Sequence, residues 1–339
     1  HPSCPAASQV GTVTVGAGAG PNPFYTSSGR AYLAGPYKGA PLSLAVVTPA
    51  VAGPFDLGSV VVRNALVLDP QTAQITAISD PLPQVLHGIP LDLRDVRVEL
   101  GRPGFTLNPT SCDPMAVNAS LTSTSGAAAN RSSRFQVANC DKLAFKPRLS
   151  LRLKGGTKRS EYPALRAQLT MPKGGANIAR TTVALPHSEF LAQNHIGTIC
   201  TRPLFAADAC PARSVYGHAR AFSPLLDQPL EGPVYLRANG GERELPDLVA
   251  SLKGQIDIEL EGHIDSANGG IRTSFETVPD APVSKFVLSM KGGKKGLLEN
   301  SRNLCRSTNR ATVLIDAQNG KTADSRPELR VKCGKGEAK

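Results

Sequence analysis

Leu91-Asp92-Leu93-Arg94-Asp95-Val96-Arg97-Val98-Glu99-Leu100 sets apolar side chains at positions 91, 93, 96, 98 and 100. Such alternation puts them on one face of a strand, because successive side chains of extended backbone point to opposite faces. The phase slips once, at Arg94-Asp95, which predicts a β-bulge. The same pattern recurs on either side. Gly11–Val15 alternates Thr and Val, Leu42–Val47 is apolar, and Val60–Leu68 and Gln74–Ile78 flank a turn at Asp69-Pro70-Gln71-Thr72. Farther on, Gln255–Ile264 places Ile256, Ile258 and Leu260 opposite Asp257 and Glu259. Ser266-Ala267-Asn268-Gly269-Gly270 then predicts a hairpin into Ile271–Val278. With 32 Gly and 28 Pro in 339 residues, short strands joined by tight turns suit this chain better than helices. The expected fold class is all-β.

The seven cysteines carry the next signal. Cys112 and Cys140 lie 28 positions apart, as do Cys305 and Cys333, and Cys200 and Cys210 are close enough to close a small loop. No C-x-x-C pair or His–Cys cluster has zinc-site spacing, so no metal is expected. Three disulfides, Cys112–Cys140, Cys200–Cys210 and Cys305–Cys333, are expected instead. Cys4 is left as a free or intermolecular thiol. Such bonds persist in oxidising compartments, which points to an extracellular or cell-surface location.

Other landmarks repeat in the same order. Cys4-Pro5-Ala6-Ala7-Ser8-Gln9-Val10-Gly11 matches Cys210-Pro211-Ala212-Arg213-Ser214-Val215-Tyr216-Gly217, and Gly101-Arg102-Pro103-Gly104 matches Gly293-Lys294-Lys295-Gly296. Leu68-Asp69 and Ile75 match Ile264-Asp265 and Ile271. This reads as a tandem duplication. It gives a first β-domain over 1–141 and a second over 200–339. Between them, Leu149–Leu153, Ala164–Thr170 and Thr181–Leu185 alternate between polar turns, and 142–199 is expected to be an Ig-like spacer. The upstream part of the first copy, including a partner for Cys4, would precede His1 in a longer precursor. Helix is expected only at Ser188–His195, as a turn or two.

Catalytic signatures are missing. There is no nucleophile elbow, Walker loop, dinucleotide fingerprint or zinc-protease helix, and Gly16–Gly20 lacks the lysine and helix of a phosphate loop. His187, Ser188, Glu189, Asn194 and His195, with Cys200 and His218 nearby, form the richest polar cluster. Eight positions between the two histidines is no standard ligand spacing, and His218 aligns with Thr12, so the first copy has no equivalent. The cluster reads as a domain junction. Asp257/Glu259 and Asp92/Asp95 read as solvated strand faces. No catalytic residue, metal or cofactor is therefore expected, and the chain is read as non-enzymatic.

Lys and Arg outnumber Asp and Glu by 38 to 27, a formal charge of +11, which favours polyanionic neighbours. The densest zones are Lys142, Lys146, Arg148, Arg152, Lys154, Lys158 and Arg159, and then Lys291, Lys294 and Lys295. Trp is absent and aromatics are few, which disfavours lectin platforms and single-stranded nucleic acid. Runs such as Leu44–Val47 and Ala65–Leu68 are far short of the ~20 residues of a membrane helix.

Cys-Pro-Ala-x-Ser (at Cys4 and Cys210), Leu185-Pro186-His187-Ser188-Glu189-Phe190 and Val278-Pro279-Asp280-Ala281-Pro282 resemble strings of uncharacterised secreted tandem-repeat β proteins of actinobacteria. The resemblance implies export and a longer precursor, and it brings no activity. The expected function is an extracellular structural protein, a surface-layer, sheath or filament subunit that self-associates through its β-modules. Cys4 or an edge strand near Gly11–Val15 would make the link. The alternative is a secreted binding module for anionic cell-wall polymer.

Overall fold

Strands form where the alternation runs and stop at Gly, Pro and Asn/Asp turns. The computed structural model describes residues 4–52, 54–267 and 270–334. The chain divides into two units, His1–Asp69 with Gln74–Asn108, and Pro70–Ala73 with Pro109–Lys339.

The first unit holds β1 (Gln9–Ala17), β2 (Phe24–Ala34), β3 (Leu42–Ala52), β4 (Phe55–Leu68), β5 (Ile75–Ser79), β6 (Val85–Leu86), β7 (Ile89–Pro90) and β8 (Leu93–Glu99). Six of these form one sheet in the order β5-β4-β3-β2-β1-β8, antiparallel throughout. The bulge falls where the phase slip places it. Gly16 pairs with Asp95 and Ala17 with Leu93, which leaves Arg94 as the extra residue. Val10, Val13 and Ala31 are buried, with Val15, Leu33, Leu44 and Val46 packed on them. The buried side chains of these six strands are mostly small, Ala45 and Ala65 among them, so the core is thin.

The second unit opens with a separate hairpin, β9 (Met115–Thr122) and β10 (Ala128–Phe135). There follow β11 (Arg148–Lys154), β12 (Ala164–Thr170), β13 (Ile178–Ala184), β14 (Glu189–Leu191), β15 (Val215–Phe222), β16 (Leu230–Arg237), β17 (Asp247–Leu252) and β18 (Ile258–Ala267). The chain ends with β19 (Gly270–Phe275), β20 (Lys285–Met290), β21 (Leu298–Asn300), β22 (Thr312–Ala317), β23 (Thr322–Ser325) and β24 (Leu329–Arg330). Twelve of them make one sheet, β23-β22-β13-β19-β18-β17-β16-β15-β20-β12-β11-β24. Its two ends pack on each other. Leu151 and Leu153 of β11 and Leu169 of β12 share a core with Ile178, Ile271, Val313, Ile315 and Leu329. A second cluster, including Tyr216, Val234, Leu236, Leu248 and Leu252, fills the space against β15–β18. Burying each such aliphatic side chain is worth about 1.5–3 kcal/mol.

Residues 142–199 therefore do not form a separate Ig-like spacer. Their strands are built into the sheet made by 200–330: β12 lies between β11 and β20, and β13 between β19 and β22. The units divide after Asn108 rather than after residue 141. The physical reason is lateral pairing. A strand's unsatisfied N–H and C=O groups take whichever neighbour lies alongside, not the nearest in sequence. The expected helix at Ser188–His195 is β14 followed by a single 3₁₀ turn, Gln193–His195. The β18–β19 hairpin forms, with Ala267 paired to Gly270. Asn268 and Gly269 of its expected turn lie outside the described residues.

The six strands β19-β18-β17-β16-β15-β20 have the same order and directions as β5-β4-β3-β2-β1-β8. Before β1, Pro5 at φ −59°, ψ 140° opens the 3₁₀ turn Ala6–Ser8. Before β15, Pro211 at φ −59°, ψ 139° opens Ala212–Ser214. In each turn the serine hydroxyl donates back to the proline carbonyl, Ser8 to Pro5 at 2.8 Å and Ser214 to Pro211 at 2.7 Å. Gly11 and Gly217 occupy matching places against the next strand. A Cβ on Gly11 would sit 2.2 Å from the Glu99 carbonyl oxygen, and one on Gly217 would sit 2.7 Å from that of Ser289.

Candidate functional site

All three expected disulfides form, Cys112–Cys140, Cys200–Cys210 and Cys305–Cys333, and Cys4 is a free thiol of intermediate exposure. The two loops of equal length each enclose a hairpin, β9–β10 in one and β22–β23 in the other. β22 is paired with β13, whereas β9–β10 remains a sheet of two strands.

The sheet of the first unit ends at β5 and β8, and each exposes apolar side chains, those of β8 alternating with Arg94, Asp95, Arg97 and Glu99. Ile75 and Ile78 of β5 are 64% and 55% exposed, and Val96 and Val98 of β8 are 41% and 44% exposed. β5 reads Ile-Thr-Ala-Ile-Ser, without the Lys, Pro or bulge that commonly shields an edge. The expectation of a free edge near Gly11–Val15 is corrected here. β1 is interior, paired with β2 on one side and β8 on the other. In the second unit the corresponding strands are covered, β20 by β12 and β19 by β13.

The Cys200–Cys210 loop places a helical turn, Arg202–Ala206, capped by the Thr201 hydroxyl, beside a charged cluster. Cys200 bridges Arg237 at the end of β16, and Phe205 meets Tyr235 edge-on at 5.9 Å. Asp247 is fully buried and Arg237 is 7% exposed. Arg243 donates to Asp247 Oδ1 from Nε at 3.1 Å and from Nη2 at 2.8 Å. Arg237 bonds Glu261 Oε2 and lies 3.5 Å from Asp247 Oδ2. Asp247, Glu261 and His263 offer ligand atoms within 4.8 Å of one another. The chemistry of this set argues against a cation: two guanidiniums already neutralise the two carboxylates and would repel it. The arrangement is a structural ion network fastening β16, β17 and β18.

The polar cluster at the end of β13 separates into unrelated contacts. His195 Nδ1 lies 2.9 Å from the Gly296 carbonyl and its ring stacks on Tyr162 at 4.2 Å. The His187 carbonyl accepts from the Ser301 hydroxyl, and His218 is on the outer face of β15. Glu189 is fully buried, and burial pushes its carboxyl up to about 8, with Ser188 and Arg302 pulling weakly the other way. No nucleophile–base pair is assembled from these side chains. Asp280 of the Val278–Pro282 string is a structural anchor. It accepts from Thr110 N and Oγ1 at 2.7 Å each, Ser111 N at 2.9 Å and Asn177 Nδ2 at 2.8 Å. Asp265, flagged by sequence, pairs with Arg272 in a fork, and Asp95 accepts from the Tyr25 hydroxyl and lies within ion-pair distance of Arg97.

The basic zones differ in availability. Lys142, Lys146, Arg148, Arg152, Lys154, Lys158 and Arg159 are all exposed. In the second zone Lys291 donates to the Val215 carbonyl and Lys295 to that of Arg213. Burial holds the Lys291 ammonium below its usual range. Those two lysines tie down the start of β15, and only Lys294 projects freely. Two arginines absent from either zone, Arg166 and Arg330, also stand on the outer face. Sequence spacing gave no sign of them.

No known protein family, no curated protein and no solved structure matches this chain.

Proposed function

We propose that this is an extracellular, non-enzymatic structural protein whose modules assemble by edge-to-edge strand addition. One observation carries the reading: β5 and β8 end the first sheet with exposed apolar side chains, where β19 and β20 are covered by further strands. A six-stranded antiparallel sheet has its two terminal strands running in opposite directions. The β8 edge of one copy therefore meets the β5 edge of the next in antiparallel register, and the contact repeats without closing. Val96 pairs with Val15 and Val98 with Val13, both of which contribute to the core, so a following strand would extend that apolar face. Three disulfides suit the oxidising setting such a protein occupies.

Electron microscopy and sedimentation of the non-reduced protein over a concentration series test this. Filaments, sheets or a concentration-dependent ladder of oligomers are expected. A strict monomer at the highest concentration would remove the structural reading.

A further inference from the structure

A row of unpaired arginines crosses the outer face of the large sheet. Arg152 of β11 is the direct cross-strand partner of Arg166 on β12, and on its other side of Arg330 on β24. The row continues through Ser289 of β20, the partner of Arg166, to His218 of β15. Neighbouring strands are about 4.8 Å apart, so three guanidinium-bearing side chains rise abreast within roughly 10 Å. Like charges placed directly opposite each other destabilise a sheet. None of the three has an ion pair or side-chain hydrogen bond among the described residues, although thirteen ion pairs occur elsewhere.

The surroundings reinforce the charge. Arg148 and Lys154 project from the same face of β11, whose alternate residues Leu151 and Leu153 are buried. Of the carboxylates there, Glu231 is already held by Arg220 at 2.6 Å. Glu328 precedes the buried Leu329 and makes no ion pair with the row.

We propose that this row, Arg330–Arg152–Arg166, is a binding site for an extended anionic polysaccharide. Forked guanidiniums match carboxylate and sulfate oxygens two at a time. Three side chains in one line across neighbouring strands suit a linear chain lying across the strands. The row contains no aromatic platform on which bases could stack, which disfavours nucleic acid. The oxidising compartment indicated by the disulfides is where such polymers occur. The row includes no residue of β5 or β8.

The test uses the full chain and fluorescently labelled heparin, with polygalacturonate as a second acidic chain, neutral dextran as the blank and a DNA duplex as competitor. Heparin and polygalacturonate should bind at low salt and weaken steadily as salt rises, since binding releases counterions. Arg152→Ala/Arg166→Ala/Arg330→Ala should weaken binding by about tenfold or more and flatten the salt dependence. Arg131→Ala/Arg134→Ala/Lys173→Ala removes the same charge elsewhere and should leave affinity within about twofold. Unchanged melting curves for both variants exclude misfolding as the cause, and an Arg→Lys triple variant retaining part of the affinity would serve if the alanine variant failed to fold. Equal losses in the two alanine variants would overturn the proposal, because binding would then follow net charge alone. So would absence of binding, or preferential binding of the DNA duplex through the same arginines.

Discussion

Glu189 and Asn300 are direct cross-strand partners on β14 and β21, and neither has exposed surface. Both Glu189 carboxylate oxygens, Asn300 Oδ1 and the Ser188 hydroxyl lack hydrogen-bond partners among the described residues. An ionised carboxylate there would be desolvated and unpaired, so the neutral acid is favoured, and its proton is available to a neighbouring oxygen.

The titration of Glu189 gives the first prediction. Its carboxyl is raised from 4.5 to about 8 by burial, so between those values the folded state holds a proton that the unfolded state has lost. Stability is then greatest below the unfolded value and falls as pH rises toward 8. Glu189→Gln should flatten that decline and stabilise the protein at pH 8 by roughly 1–3 kcal/mol. Melting curves of both proteins at pH 5 and pH 8 decide it; parallel pH profiles would exclude the assignment.

Asp247 should be far less tolerant. Its loss leaves Arg237, which is buried, and Arg243 sharing the single carboxylate of Glu261. Asp247→Ala is expected to cost about 3–5 kcal/mol. Calcium and zinc should leave the melting temperature of the native protein unchanged, because the carboxylates are already paired. A metal-induced rise that Asp247→Asn abolishes would contradict the ion-network description.

The sheet edges can be tested by complementation. Ile75→Lys/Ile78→Lys blocks β5, and Val96→Lys/Val98→Lys blocks β8. Each variant alone should sediment as a monomer, and an equal mixture should form dimers, one open edge being left on each partner. Dimers of the β5-blocked variant alone would indicate β8–β8 pairing instead. Wild-type assembly that survives both variants would place the contact elsewhere while leaving a structural role intact.

Asp280 accepts from four donors on two other segments, Thr110–Ser111 and Asn177, so Asp280→Ala should loosen the start of the second unit. A loss of about 2–3 kcal/mol is expected, with proteolysis appearing first near Thr110. Equal protease resistance in the variant would contradict the anchoring role.

Non-reducing denaturation should expose one titratable thiol per chain, that of Cys4. Replacing Cys200 and Cys210 by alanine should cost about 3 kcal/mol, the loop-closure term for ten residues. A thiol count of zero would mean that Cys4 is bonded between chains.

Strand identity and the disulfides were legible because both are local. Alternation at Leu91–Leu100 needs only one segment, and the phase slip there named the bulge at Arg94. Equal Cys spacings named two bridges, and the closeness of Cys200 to Cys210 named the third. Lateral neighbours were not legible. Leu149–Leu153 alternates in the same way whether it pairs only within a small spacer or, as found, also with the distant β24. The arginine row was hidden for that reason: Arg330 lies far from Arg152 and Arg166 in sequence, and only strand pairing aligns the three. The availability of Lys291 and Lys295 was equally hidden, since their carbonyl acceptors lie on another strand.

The pairing of β11 with β24 sets the order of events during folding. Leu151 and Arg152 find Leu329 and Arg330 only after nearly all the intervening chain has been made. It is the one parallel pair among the described strands, and such long-range closures are slow because a large loop must be ordered before the contact forms. Strands β11–β13, synthesised early, therefore wait with open edges for β19–β24. The Cys305–Cys333 bridge encloses β22, β23 and β24, so once formed it limits how far that last strand can stray from β11.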